Sequence, residues 1–337
     1  MALKLGSNGP VVLAWQQTMK RRFASYANAA DGGPLREDSY FGKDDLAVHQ
    51  DWQRRVHRLV TDNVSDDELL ILGVTKPKPV FLTVEGHLSD MFRGPVADTA
   101  NQLQAEGLCF HQPTGYNNGA IPFDNPSGVR ALAELVGSTT LRDGAGNTVP
   151  FPAGTPIALG GFSQGGIVLF DFWVDYLLPG KPLEWRAKDV KAVLTYGNPC
   201  RQTDSIAPWA RAWAPKTGTN GLDPYRRFGI NSFPTKPDYW MDVYRGGDIF
   251  AENTPDKAGE VKAAIYQAVA RGDVFSNPYS LATQIADLFL APFDEVLGMV
   301  MAIISGIGFL ADGNGAPHYS PYDIAGGVDW MRRQLAQ

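Results

Sequence analysis

The stretch Ile157-Ala158-Leu159-Gly160-Gly161-Phe162-Ser163-Gln164-Gly165-Gly166 decides how the rest of the chain is read. A mostly apolar run enters Gly-x-Ser-x-Gly (Gly161, Ser163, Gly165), and an apolar segment of helical character follows at once. That is the pattern of a buried strand delivering a serine onto a tight turn at the start of a helix. Small residues flank the serine because a Cβ in such a turn would clash. The helix begins with N–H groups aimed at the serine, so a developing oxyanion meets donors already in place. A glycine-rich turn without chemistry also fits the bare motif; strand before and helix after favour a nucleophile.

Outward from this turn, short apolar strands alternate with helices. Val80 to Val84 reads as a strand ending at Glu85-Gly86-His87, and Pro95 to Glu106 as a helix with Val96, Ala100 and Leu103 on one side. Leu108-Cys109-Phe110 reads as a second strand. Ser127 is the expected cap of a helix whose Val129, Leu132, Ala133 and Val136 share a face. Helix Ile167 to Leu178 and strands Val190 to Tyr196 and Tyr239 to Arg245 follow. Strands of this kind separated by helices predict an α/β fold, a parallel sheet covered on both faces.

Residues 1 to 76 differ in kind. Val12, Trp15, Met19 and Phe23 fall at helical spacing, as do Val48, Trp52, Val56 and Leu59. Ser65-Asp66-Asp67-Glu68 is a capping box before Leu69-Leu70-Ile71-Leu72. Lys76-Pro77-Lys78-Pro79 reads as a linker, since alternate prolines exclude helix and ladder pairing. Two domains are expected: a small three-helix unit over 1–76, and an α/β unit over 77–337 with a helical insertion at about 256–310. The first contains ten Lys/Arg and ten Asp/Glu, so the whole net charge of −6 lies in the second.

The acidic balance argues against a nucleic-acid partner, and 44% hydrophobic residues argue against disorder. The N-terminus has no apolar core of a secretory signal. Val296 to Ala311, the most membrane-like segment, has 16 uncharged residues and falls short of a span. Cys109 and Cys200 are expected as buried thiols, with one disulfide between them left open.

A nucleophilic Ser163 needs a base and a carboxylate to orient it, following in the order Ser, Asp, His in this fold class. Of five histidines only His318 lies beyond Ser163, in the loop-like stretch Asp312 to Tyr319. Asp248, after Gly246-Gly247 at a strand end, fits best as the acid; Asp242, Asp223 and Asp238 are weaker candidates. The oxyanion would meet the backbone N–H groups of Gln164 and of His87, in the loop after the first strand. His87 and His111 have no partner at ligand spacing, so no metal is expected, and the chemistry needs no cofactor.

Gly161-Phe162-Ser163-Gln164-Gly165, Gly197-Asn198-Pro199-Cys200-Arg201-Gln202, Gly247-Asp248 and Pro317-His318 together resemble the cutinase-like α/β-hydrolases. Within them the likeness is to the lysin B family of mycobacteriophage mycolylarabinogalactan esterases, from about residue 79 to the end. A long helical insertion between Asp248 and His318 is typical of that family. Separately, Leu3 to Val11, Trp15-Gln16-Gln17, Tyr40-Phe41-Gly42 and Asp51-Trp52-Gln53 resemble the peptidoglycan-binding domain family, with a longer loop between the first two helices. The likeness implies hydrolysis of the ester joining mycolic acids to arabinogalactan during phage lysis. It also implies synthesis in the host cytoplasm, action at the envelope, and peptidoglycan contact through the first domain. Two cysteines and no signal peptide depart from secreted cutinases. A general cutinase or lipase, a mycolyltransferase-like enzyme and a non-catalytic wall-binding protein are the alternatives. The loop from Arg201 to Asp238, with Trp209, Trp213 and Tyr225, is a candidate polysaccharide contact. The insertion's Ile285, Leu288, Phe289, Phe293, Leu297 and Val300 are read mainly as core, with lipid contact as the lesser role.

Overall fold

A computed structural model describes residues 2–230, 233–270, 278–290, 292–308 and 317–336. The chain divides into two compact units, Met1–Pro77 and Lys78–Gln337.

In the first unit, α1 (Pro10–Arg22), α2 (Lys43–Arg55) and α3 (Asp66–Ile71) surround Trp15, Phe41, Trp52 and Leu69. Two short strands, β1 (Leu3–Lys4) and β2 (Asn63–Val64), pair antiparallel and tie the ends of the unit together. The Trp-Gln positions work inside the unit. Gln16 donates to Asp38, to the Tyr40 carbonyl and to Asp45, and accepts from the Ser39 N–H. Gln53 bridges Thr61 and Glu68. Ser65 and Glu68 form the reciprocal cap. Helix α2 stops at Arg55, so Val56 and Leu59 do not extend it, and Leu59 is left 83% exposed.

The second unit is built on five parallel strands in the order β4-β3-β7-β8-β9. These are β3 (Val80–Val84), β4 (Phe110–Pro113), β7 (Ile157–Phe162), β8 (Val190–Tyr196) and β9 (Trp240–Val243). Alternate residues face opposite sides, as the pleat requires. Phe81, Ala158 and Leu194 meet α4 (Pro95–Ala105) and the C-terminal α11 (Ala325–Leu335). Leu82, Leu159 and Val193 join the core beneath α5 (Asn125–Gly137) and α6 (Gln164–Phe172), which continues as a π-helical turn over Trp173–Leu177. A hairpin of β5 (Thr140–Arg142) and β6 (Thr148–Pro150) and a short α7 (Glu184–Ala187) complete this side.

Helices α8 (Lys257–Ala270), α9 (Pro278–Phe289) and α10 (Phe293–Gly308) form the insertion. Ile285 and Val300 are buried in the core shared with α5 and α6, and Phe289 and Leu297 pack against it, while Phe293 is 39% exposed. The Leu288 side chain and residues 309–316 lie outside the described residues. No described helix is long and apolar enough to cross a membrane.

Two expectations shift. The second strand is Phe110–Pro113 rather than Leu108 to Phe110, because the Leu108 N–H is used on the Leu103 carbonyl at the end of α4. Helix α5 is capped by Asp124, not Ser127: the Asp124 carboxylate accepts the Ser127 N–H at 3.1 Å, and Pro126 fits the first turn.

Strand order makes the site. From β3 the chain moves outward to β4, then returns to lay β7 on β3's other side. The loops leaving β3 and β7 therefore diverge at the carboxyl edge of the sheet, where a crevice opens.

Candidate active site

Ser163 stands in that crevice, between the last residue of β7 and the first of α6. Its backbone is at φ 52°, ψ −118°, a region that a non-glycine residue enters only under constraint, at a cost of about 1–3 kcal/mol. The constraint is visible: the Ser163 N–H is held by the Tyr196 carbonyl at 3.0 Å, and α6 starts against the end of β3. The contact is so close that a Cβ on Gly165 would lie 1.9 Å from the Val84 carbonyl oxygen. Gly165 is thus required by the approach of two backbones.

His318 is buried against Phe162, whose ring stacks on it at 5.2 Å, and against Phe250 and Tyr319, each at 4.6 Å. Gly197, at φ 54°, passes beneath; a Cβ there would lie 2.5 Å from His318 Cε1. The loop following His318 is pinned by Arg245, which donates to the carbonyls of Pro317 and Ser320 and lies over the Tyr322 ring. His318 Nδ1 sits 2.9 Å from both carboxylate oxygens of Asp248. Asp248 also accepts the N–H groups of Phe250 and Ala251 and the Tyr322 hydroxyl. Burial alone would raise this carboxyl, but His318 and the two N–H groups outweigh it and hold Asp248 below the usual carboxylate range. With Nδ1 on Asp248, the other ring nitrogen Nε2 is buried and hydrogen-bonded to nothing among the described residues. Ser163 Oγ and His318 Nε2 are not bonded to each other here; such bonds commonly close only with substrate present.

Of the four aspartates considered, only Asp248 reaches His318. Asp242 is buried under Thr195, Asn198, Ser205 and Lys236. Asp223 pairs with Arg226, and Asp238 is exposed. The Gly197–Gln202 stretch is explained by the same contacts: Asn198 joins β9 through Asp242 and caps Cys200. Arg201, fully buried, gathers the Ala251 and Ser205 carbonyls and Thr219 around itself. That ordering reduces the free length of the Arg201 to Asp238 loop. Trp209 packs on Trp330 of α11, and Tyr225 remains 58% exposed.

The loop after β3 lies directly beside the serine: a Cβ on Gly86 would be 2.9 Å from the Ser163 Cβ. Among the described residues, neither the His87 nor the Gln164 backbone N–H is spent on a hydrogen bond. Sequence reasoning missed what holds this loop. Asn118 donates to the carbonyls of Gly86 (2.8 Å) and Ser89 (2.7 Å), and its own carbonyl accepts the Leu88 N–H. Tyr116 donates to the Glu85 carbonyl at 2.8 Å. In a planar trans peptide the C=O and N–H point in opposite directions. Anchoring the Gly86 carbonyl on Asn118 therefore turns the His87 N–H the other way. Leu88 is left at φ 56°, a second strained residue in the crevice. The His87 ring lies against Phe123 at 5.0 Å, and burial lowers its basicity. His111 is held between Thr83 and Asn101, and burial pushes it down to about 4. Cys109 and Cys200 are buried free thiols in the separate cores on the two faces of the sheet.

Among solved structures the chain is similar to lysin B from Mycobacteriophage D29, at 25% identity over 76% of this chain and 100% of that one, TM-score 0.57. A cutinase-like protein from Cryptococcus sp. matches at 17% identity, 52% of this chain and 80% of that one, TM-score 0.39. The catalytic core domain of acetyl xylan esterase from Trichoderma reesei matches at 15%, 60% and 99%, TM-score 0.35. The last two are loose superpositions and bear no further weight. No protein-family model matches the sequence, nor does any curated protein. The second unit has an α/β-hydrolase fold, with its strained serine at the expected strand-to-helix turn.

Proposed function

We propose that the chain is a serine carboxylic-ester hydrolase acting on the ester between mycolic acids and arabinogalactan. One observation carries the chemistry. A strained serine at a helix N-terminus shares the carboxyl edge of the sheet with a buried His318–Asp248 pair whose Nε2 is unengaged among the described residues. The substrate rests on the family resemblance and on the similarity to the phage lysin B.

In this reading Ser163 Oγ attacks the ester carbonyl and gives its proton to His318 Nε2. Asp248, kept ionised, fixes the proton on Nδ1 and stabilises the imidazolium. The N–H groups of Gln164 and His87 hold the oxyanion, the second aimed by Asn118. His318 returns its proton to the leaving alkoxide. Water, deprotonated by the same nitrogen, then releases the fatty acid from Ser163. The residues supply every proton transfer, and no step calls for a cofactor.

Wild-type protein and Ser163→Ala are incubated with purified mycolylarabinogalactan, and free mycolic acids are measured. Release by the wild type alone supports the reading; release by both, or by neither, refutes it. Hydrolysis of soluble esters without mycolate release would favour a general cutinase or lipase. For the first unit we propose peptidoglycan attachment, checked by sedimentation of the full chain with purified peptidoglycan; protein left in the supernatant would refute it.

A further inference from the structure

We propose that the cavity between the Leu88–Pro95 loop and the Tyr319–Ile324 segment seats the alcohol half of the ester as a neutral sugar. This rests on the esterase reading above. His318 is itself part of the cavity wall, together with the buried Phe162 and the exposed Leu88. The leaving oxygen must come within hydrogen-bond reach of His318 Nε2 to be protonated. Whatever is attached to that oxygen therefore extends into the space His318 borders. The cavity is ≈ 470 Å³, within the range of small-molecule sites.

Its chemistry selects the sugar rather than the acyl chain. Ser89, Asp90, Arg93 and Asp98 line it alongside Leu88 and Tyr319. No hydrogen bond or ion pair among the described residues engages the Arg93 or Asp98 side chain, and Asp90 is committed only to its own turn through the Phe92 N–H. A methylene chain laid here would desolvate these charges without replacing their water. Hydroxyl groups would instead accept from the guanidinium and donate to the carboxylates, and Leu88 and Tyr319 offer apolar surface to the C–H face of a ring. A cavity of ≈ 700 Å³ elsewhere contains neither Ser163, Asp248 nor His318, and its Arg226 is already held by Asp171 at 2.8 Å and Asp223 at 3.3 Å.

A sugar seated there can also run the first half-reaction backwards. Its primary hydroxyl attacks the acyl carbonyl on Ser163 and passes its proton to His318 Nε2. The new C–O bond forms, the bond to Ser163 Oγ breaks, and the proton returns to Oγ. The test uses the full chain with p-nitrophenyl butyrate as acyl donor and methyl arabinofuranoside as acceptor, measuring butyryl sugar against free butyrate. This ratio is set within one acyl-enzyme and is independent of how much protein is active. Sugar ester should form with saturable dependence on acceptor, and Arg93→Ala with Asp98→Ala should lower the ratio at least fivefold. If that pair does not fold, Arg93→Lys and Asp98→Asn are read in the same way. No sugar ester, a non-saturating yield, or a ratio indifferent to the substitutions overturns the subsite. Absence of p-nitrophenol release, or release that survives Ser163→Ala, instead overturns the esterase reading beneath it.

Discussion

Replacing Glu85 by Gln should stabilise the protein by an amount that grows with pH. Glu85 follows β3 and is buried, with one carboxylate oxygen accepting the Ala97 N–H at 2.8 Å and the other without a partner among the described residues. The start of α4 wraps it so closely that a Cβ on Gly94 would lie 2.5 Å from that second oxygen. Burial pushes the carboxyl from 4.5 up to about 8, against the pull of the Ala97 N–H and helped by Asp98. Between those two values the folded chain keeps a proton that the unfolded chain releases. The folded state thus binds more protons in this window, and stability falls as pH rises through it. The slope approaches about 1.4 kcal/mol per pH unit, so roughly 3 kcal/mol is lost between about pH 5 and pH 7.5. Glutamine keeps an acceptor for Ala97 and cannot ionise, which removes the slope. Urea unfolding of both proteins across that range measures it. A difference that stays constant with pH would refute the reasoning.

Asp248→Asn should keep the fold and lower kcat on a soluble ester by about 10⁴-fold, because the tautomer of His318 is no longer set; a loss below tenfold would remove Asp248 from the site. Asn118→Ala should lower kcat about 10²-fold with little change in KM, the pattern for a group acting only in the transition state. A rise in KM at constant kcat would assign Asn118 to ground-state binding instead. Gly165→Ala should yield insoluble or unfolded protein, since a Cβ 1.9 Å from the Val84 oxygen forces α6 off β3; soluble protein with a wild-type melting temperature would contradict that packing.

The fold was legible because its signals are local. The apolar runs at Val80, Ile157 and Val190 needed only period and length, and Ser163 announced its turn through its own neighbours. The sequence singles out His318 by elimination and Asp248 by its place after a strand, and the fold sets the two 2.9 Å apart. Boundaries slipped where a competing local bond decided them, as at Asp124, where a carboxylate one residue before Pro126's turn took the Ser127 N–H. Helix α11 and the β5–β6 hairpin carry no clear sequence signal, since their short segments take definition from packing on the sheet or on each other. What sequence could not show was the support of the site. Asn118 reaches Gly86 across 32 positions through a side-chain to backbone bond that leaves no periodic trace. Asn117-Asn118-Gly119 looks like any loop. Arg245 likewise stands at a glycine-bounded strand end, and its role lies in the distant carbonyls of Pro317 and Ser320 to which it donates. The groups proposed to react are read from residue type and order, whereas their aim depends on carbonyls brought together by the topology. The switch point between β3 and β7 explains why those carbonyls converge: it sets the Glu85–Ser89 loop against Ser163, and the loop after β4 is the nearest segment able to clamp it.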